Sequence, residues 1–110
     1  MQIVETAAFS RRVADLLSDD EYRALQVTLR HSPEIGRVLV GTGGARKLRW
    51  ALSGSGKSGG VRVIYYHAVS REIILMLLIY SKSEQDALTG AQRAMLRRAI
   101  ERWLKELRPS

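Results

Sequence analysis

Cysteine is absent from the 110 residues, which excludes disulfides and thiolate metal ligands alike. Histidine is scarce, with His31 and His67 only, and no carboxylate cluster sits in the basic part of the chain to complete a metal site. No cofactor and no metal are expected. The longest apolar run, Ile73 to Tyr80, is too short to span a bilayer and reads as a buried strand. The opening Met-Gln-Ile-Val-Glu has no basic segment leading into an apolar stretch, so no secretion signal is visible and a cytoplasmic protein without a membrane partner is expected. The most informative absence is of negative charge. From Ile35 to Arg71 there is no Asp or Glu.

That same stretch holds Arg37, Arg46, Lys47, Arg49, Lys57, Arg62 and Arg71, seven positive charges. The rest of the chain carries eleven basic and eleven acidic residues, so the whole net charge of +7 resides in one third of the sequence. Such segregation has two readings. One is a solvated basic face; the other, favoured by the complete exclusion of acids, is a surface that meets a polyanion. Length and composition fit one domain, residues 1–110, large enough for a small hydrophobic core.

The chain opens with a short strand over Gln2 to Glu5. Phe9, Val13, Leu16 and Leu17 then recur at helical spacing. Ser18-Asp19-Asp20-Glu21 has the form of a capping box and starts a second helix bearing Tyr22, Leu25, Gln26 and Leu29 on one face. His31-Ser32-Pro33 ends it, because the residue before proline is driven from helical geometry. After the Gly41-Thr42-Gly43-Gly44 turn, Lys47-Leu48-Arg49-Trp50 alternates as a half-buried strand with Lys47 and Arg49 on one side. Val61 to Val69 is a strand rich in β-branched and aromatic residues. A turn at Ser70-Arg71-Glu72 leads to a central strand from Ile73 to Lys82. Thr89-Gly90-Ala91-Gln92 caps a last helix with Leu96, Ile100, Trp103, Leu104 and Leu107 on its apolar face. The expected fold class is α+β, in the order β-α-α-β-β-β-α, with helices packed on an antiparallel sheet.

Gly54-Ser55-Gly56-Lys57-Ser58 has the flavour of a nucleotide-binding P-loop, but the required first glycine is replaced by Ala51 and a strand rather than a helix follows. What survives is the physics: glycine amides beside a lysine form a docking edge for phosphate. His67 reads first as an exposed or satisfied strand residue and second as a catalytic one. The remaining chemistry belongs to Arg, Lys and Tyr. Strand alternation puts Arg62, Ile64 and Tyr66 on one face, and Ile74, Met76, Leu78, Tyr80 and Lys82 together on the next strand. Arg62, Tyr80 and Lys82 then converge with Lys57 from the loop; alternatively Arg62 and Lys82 are edge charges and Tyr80 belongs to the core.

Three segments together resemble the HigB branch of the RelE toxins. They are Gly41-Thr42-Gly43-Gly44-Ala45-Arg46-Lys47-Leu48-Arg49, the Gly54-x-Gly56-Lys57-x-Gly59-Gly60 loop with Val61-Arg62-Val63-Ile64-Tyr65-Tyr66, and Tyr80-Ser81-Lys82-Ser83-Glu84 with Asp86-x-Leu88-Thr89 and Gln92. The resemblance implies a RelE-like microbial ribonuclease fold and a ribosome-dependent endonuclease that cuts mRNA and inhibits translation. It also implies a cognate helix-turn-helix antitoxin that neutralises the toxin and carries it to operator DNA. It puts the active site on Lys57, Arg62, Tyr80 and Lys82, and RNA contacts on Arg46, Lys47 and Arg49. Cleavage then needs no metal: an RNA 2′-hydroxyl attacks the adjacent phosphate, Arg62 clamps its oxygens, and the lysines stabilise charge or exchange protons. Two other readings stay open, a non-catalytic nucleic-acid-binding module and a co-repressor partner within a toxin–antitoxin complex.

Overall fold

Local signals set most of the elements. In the computed structural model, which describes residues 1–52 and 60–107, strand β1 (Gln2–Glu5) runs into helix α1 (Ala7–Leu16). Thr6 caps that helix, its hydroxyl accepting from the Phe9 amide at 3.1 Å. Helix α2 (Asp19–His31) begins at a full capping box. The Glu21 amide donates to Ser18 Oγ at 3.1 Å, and the Glu21 carboxylate accepts from the Ser18 amide at 2.8 Å. Helix α3 (Gly90–Glu106) repeats the device with Thr89 and Gln92. Both boxes were expected from sequence.

Between the helices lie β2 (Arg37–Val38), β3 (Arg46–Trp50), β4 (Val61–Ala68) and β5 (Ile73–Ser81). The sheet order is β1-β5-β4-β3-β2. The meander β3-β4-β5 is antiparallel as expected, and the two-residue strand β2 extends it antiparallel to β3. The opposite edge departs from an all-antiparallel sheet: β1 lies parallel to β5, with Ile3 opposite Ile74. The chain between them, the helical hairpin followed by β2, β3 and β4, is far longer than the crossover that parallel strands need.

The two helical layers cover opposite faces. Phe9, Val13, Leu17, Leu25 and Leu29 of the hairpin pack against Leu48, Val61, Val63, Tyr65, Ile74, Met76 and Ile79. Leu96 and Ile100 of α3 pack with Ile64, Leu75, Leu77, Tyr80 and Leu88 on the other side, and Trp103 and Leu104 flank them.

A bulge on β5 corrects the expected face of that strand. Ile64 pairs with Leu78, but Tyr65 pairs with Met76, which leaves Leu77 as an extra residue without a cross-strand partner. Thr6 holds this irregularity, its amide donating to Met76 O at 3.0 Å and its hydroxyl to Leu77 O at 2.8 Å. Ile74 and Met76 therefore face the helical hairpin, whereas Leu78 and Tyr80 join the α3 side. Strict alternation would have kept all four together.

Candidate functional site

The α3 side of the sheet carries a basic ladder. Arg62 on β4 stands opposite Tyr80 on β5 and opposite Arg49 on β3. Lys47 is two residues from Arg49 on the same face, and Arg37 of β2 is paired with Lys47. Directly opposed residues share a face, so four cations from three adjacent strands line up beside one tyrosine. A cavity of about 440 Å³ opens at the β2 end, lined by Ile35, Arg37, Lys47, Leu48 and Arg49.

Arg62 and Thr42 are the buried polar or charged residues among those described, and Arg62 is 2% exposed. One guanidinium nitrogen, Nη2, lies 3.6 Å from Asp86 Oδ1, an ion pair longer than a hydrogen bond. The Asp86 backbone carbonyl accepts from Lys47 Nζ at 2.9 Å. A single residue after β5 thus meets both cations. Burial above all pushes the Lys47 ammonium below its ordinary value; Asp86 opposes this, while Arg62, Arg49 and Arg37 reinforce it. Tyr80 shifts the other way. Burial raises its phenol, Asp86 adds to the rise, and Arg62 and Arg93 oppose it. Its hydroxyl is buried and has no hydrogen-bond partner among the described residues.

The turn between α2 and β2 is clamped from the hairpin side. Tyr65 Oη accepts from the Gly36 amide at 2.8 Å and donates to Pro33 O at 2.7 Å. A Cβ at Gly36 would lie 2.8 Å from the Tyr65 ring, so only glycine lets β2 approach this closely. Thr42 fixes the next turn, donating to Leu39 O at 2.7 Å and accepting from the Ala45 amide at 3.0 Å. Gly41, Gly43 and Gly44 there have φ of 83°, 78° and 115°, values that an L side chain resists. These clamps bring Arg37 alongside Lys47.

Of the residues expected to form the site, Arg62, Tyr80, Lys47 and Arg49 come together. Lys82 is exposed, just beyond the end of β5, and its amide donates to Gly60 O at 3.2 Å. Lys57 and its glycine loop lie outside the described residues. Arg46 goes elsewhere: it sits opposite Tyr65, and its Nη1 donates to Gly36 O at 2.8 Å and Glu34 O at 3.2 Å, tying the β2 turn. His67 lies far down β4, opposite Ile74. Two members of the cluster were missed in sequence. Arg37 sits on a strand too short to show periodicity. Asp86 is a loop residue whose only signal was its place in the Tyr80–Gln92 segment. Among the described residues no group of three or more His, Asp or Glu converges, and no helix is long and apolar enough to cross a membrane.

No protein-family model matches the chain. Among solved structures it is similar to the E. coli toxin RelE, determined as a mutant in the free state. The TM-score is 0.61 at 16% identity, over 87% of this chain and 95% of that one. The fold is RelE-like, with a five-stranded sheet between an N-terminal helical pair and a C-terminal helix.

Proposed function

We propose that this chain is a ribosome-dependent mRNA endonuclease toxin of the RelE/HigB type, neutralised by a cognate helix-turn-helix antitoxin. One observation carries the reading: a buried arginine, Arg62, is set directly opposite Tyr80 within a row of cations on one sheet face. The RelE-like fold supports it. Burying a guanidinium carries a desolvation cost of several kcal/mol that its partners must offset, and a guanidinium held this way, beside further cations, suits phosphoryl chemistry. The planar fork of Arg62 grips two phosphate oxygens and compensates the charge of the phosphorane. Lys47, Arg49 and Arg37 hold the flanking phosphates, with Lys57 and Lys82 as further cations at the reacting centre. Arg46, spent on the β2 turn, supports the RNA-contacting strand from behind. Tyr80, whose phenol stays protonated, donates a hydrogen bond or a proton.

The product is a cyclic phosphate on one fragment and a free 5′-hydroxyl on the other, with no metal required. The ribosome enters because these groups are poor catalysts for a flexible chain. Arginine, lysine and tyrosine titrate far from neutrality unless shifted, and Arg37 and Arg49 are exposed. Bending the RNA into line at the decoding centre supplies several kcal/mol of the barrier, and a basic face suits an rRNA-lined cavity. The antitoxin covers the same face, with operator DNA contacted through it.

The experiment incubates purified protein with one transcript, with and without programmed ribosomes, and maps the new 5′ ends. Cuts within the translated frame, dependent on ribosomes, are expected. Equal cutting in both tubes refutes the ribosome requirement. No cutting in either tube, with RNA bound, instead supports a non-catalytic binding module.

A further inference from the structure

Attack by a 2′-hydroxyl requires a group that takes its proton, and the cations and tyrosine above are poorly suited to that task. A guanidinium stays protonated in proteins. Burial holds the Tyr80 phenol above its ordinary value, which makes it a donor rather than an acceptor. Lys47 is shifted downward, but its ammonium already donates to the Asp86 carbonyl at 2.9 Å. Among the described residues of the cluster, the group left is the Asp86 carboxylate.

Its placement fits the task. Oδ1 lies 3.6 Å from Arg62 Nη2, so the carboxylate borders the position where the arginine would hold a phosphate. The side chain of Arg62 is 3% exposed and that of Asp86 is 68% exposed. The clamp therefore forms the floor of the site, and the carboxylate stands on the solvent side, from which RNA arrives. The backbone of Asp86 is anchored through Lys47. The charged and titratable groups around it are Arg62 on β4, Tyr80 on β5, Lys47 on β3 with Arg49 and Arg37 beside it, and Arg93 of α3 near Tyr80. Asp86 is the acidic group acting on both Lys47 and Tyr80.

We propose that Asp86 is the proton acceptor for the attacking 2′-hydroxyl, a catalytic residue of the RNA-cleaving reading on which this inference rests. As the 2′-oxygen bonds to phosphorus, its proton passes to Asp86 and the bond from phosphorus to the 5′-oxygen breaks. The departing oxygen takes a proton from Tyr80 or Lys82. Solvent then returns that proton to the donor and removes the one on Asp86. The net change is a proton moved from the 2′-oxygen to the 5′-oxygen, with no co-reactant.

The test compares wild type, Asp86→Asn and Asp86→Glu in single-turnover cleavage on programmed ribosomes, with binding measured separately. Removing a general base typically slows the chemical step by about 10² to 10⁴. Asp86→Asn should lower kcat by at least about 10²-fold with KM little changed. Asp86→Glu, which keeps the carboxylate, should restore part of the rate. Asp86→Asn at wild-type kcat, with or without an altered KM, overturns the assignment and leaves the endonuclease reading standing. A wild type that cuts nothing on ribosomes overturns both.

Discussion

Replacing Arg62 with methionine separates a functional arginine from a structural one. The side chain is buried between β3 and β5, beside Ile64 and opposite Tyr80 and Arg49. Holding a guanidinium there carries a desolvation penalty of several kcal/mol, and an apolar residue of similar reach often serves stability equally well. Removing one member of a buried pair is usually damaging because it strands the other charge. Here the carboxylate of the Asp86 pair is 68% exposed at 3.6 Å and rehydrates freely. Losing that pair should therefore cost no more than about 1 kcal/mol of unfolding free energy, a shift of roughly 4–8 °C in Tm for a domain near this size. Activity should respond quite differently. Loss of a charge aimed at the transition state costs about 10² to 10³ in rate, or about 2.7–4 kcal/mol. The assay pairs urea unfolding followed by circular dichroism with growth arrest on expression and cleavage on programmed ribosomes. A folded, non-toxic variant is expected. Destabilisation beyond about 3 kcal/mol would make Arg62 a structural residue, and full toxicity would remove it from the site.

Tyr80→Phe deletes a buried hydroxyl that lacks a partner among the described residues, so stability should hold or rise by about 1–3 kcal/mol. Cleavage should fall at least about tenfold, and a variant as active as wild type would strip Tyr80 of its donor role. Acid should weaken the join between α1 and the end of β5. Arg12 donates to both Glu84 oxygens at 2.7 and 2.9 Å, and the Glu84 carboxylate accepts from the Ser81 amide at 3.0 Å. With the Arg12 hydrogen bond as the largest cause, the carboxyl is held at about 2, against an ordinary 4.5. Because the folded value is the lower one, this contribution is complete above about pH 4.5 and is lost as pH falls towards about 2. Urea midpoints at pH 6, 4 and 2.5 should converge for wild type and Glu84→Gln at the acidic end; a constant gap would contradict the assignment.

Features that depend on neighbours three or four residues apart were legible in the amino-acid order. Ser18 with Glu21 and Thr89 with Gln92 start α2 and α3 because each box closes within one turn. Alternation along β3 already set Lys47 and Arg49 on one side, and the pairing with β4 bears this out. The gap in acidic residues marked the strands that carry the cation row, since Arg37, Lys47, Arg49 and Arg62 all fall within it. Tertiary structure decided the rest. The parallel pairing of β1 with β5 joins residues some seventy positions apart, and no local propensity encodes it. The bulge at Leu77 exists because Thr6 accommodates it, and it moved Tyr80 to a different face from Ile74 and Met76. Arg46 was grouped with Lys47 and Arg49 by likeness of sequence, yet the strand's pleat turned it toward Tyr65 and the Gly36 carbonyl. Asp86 shows the limit most clearly. A carboxylate in a loop has no periodicity, and its chemistry depends on which buried cation the fold brings within reach; here that cation is Arg62, twenty-four residues earlier in the chain.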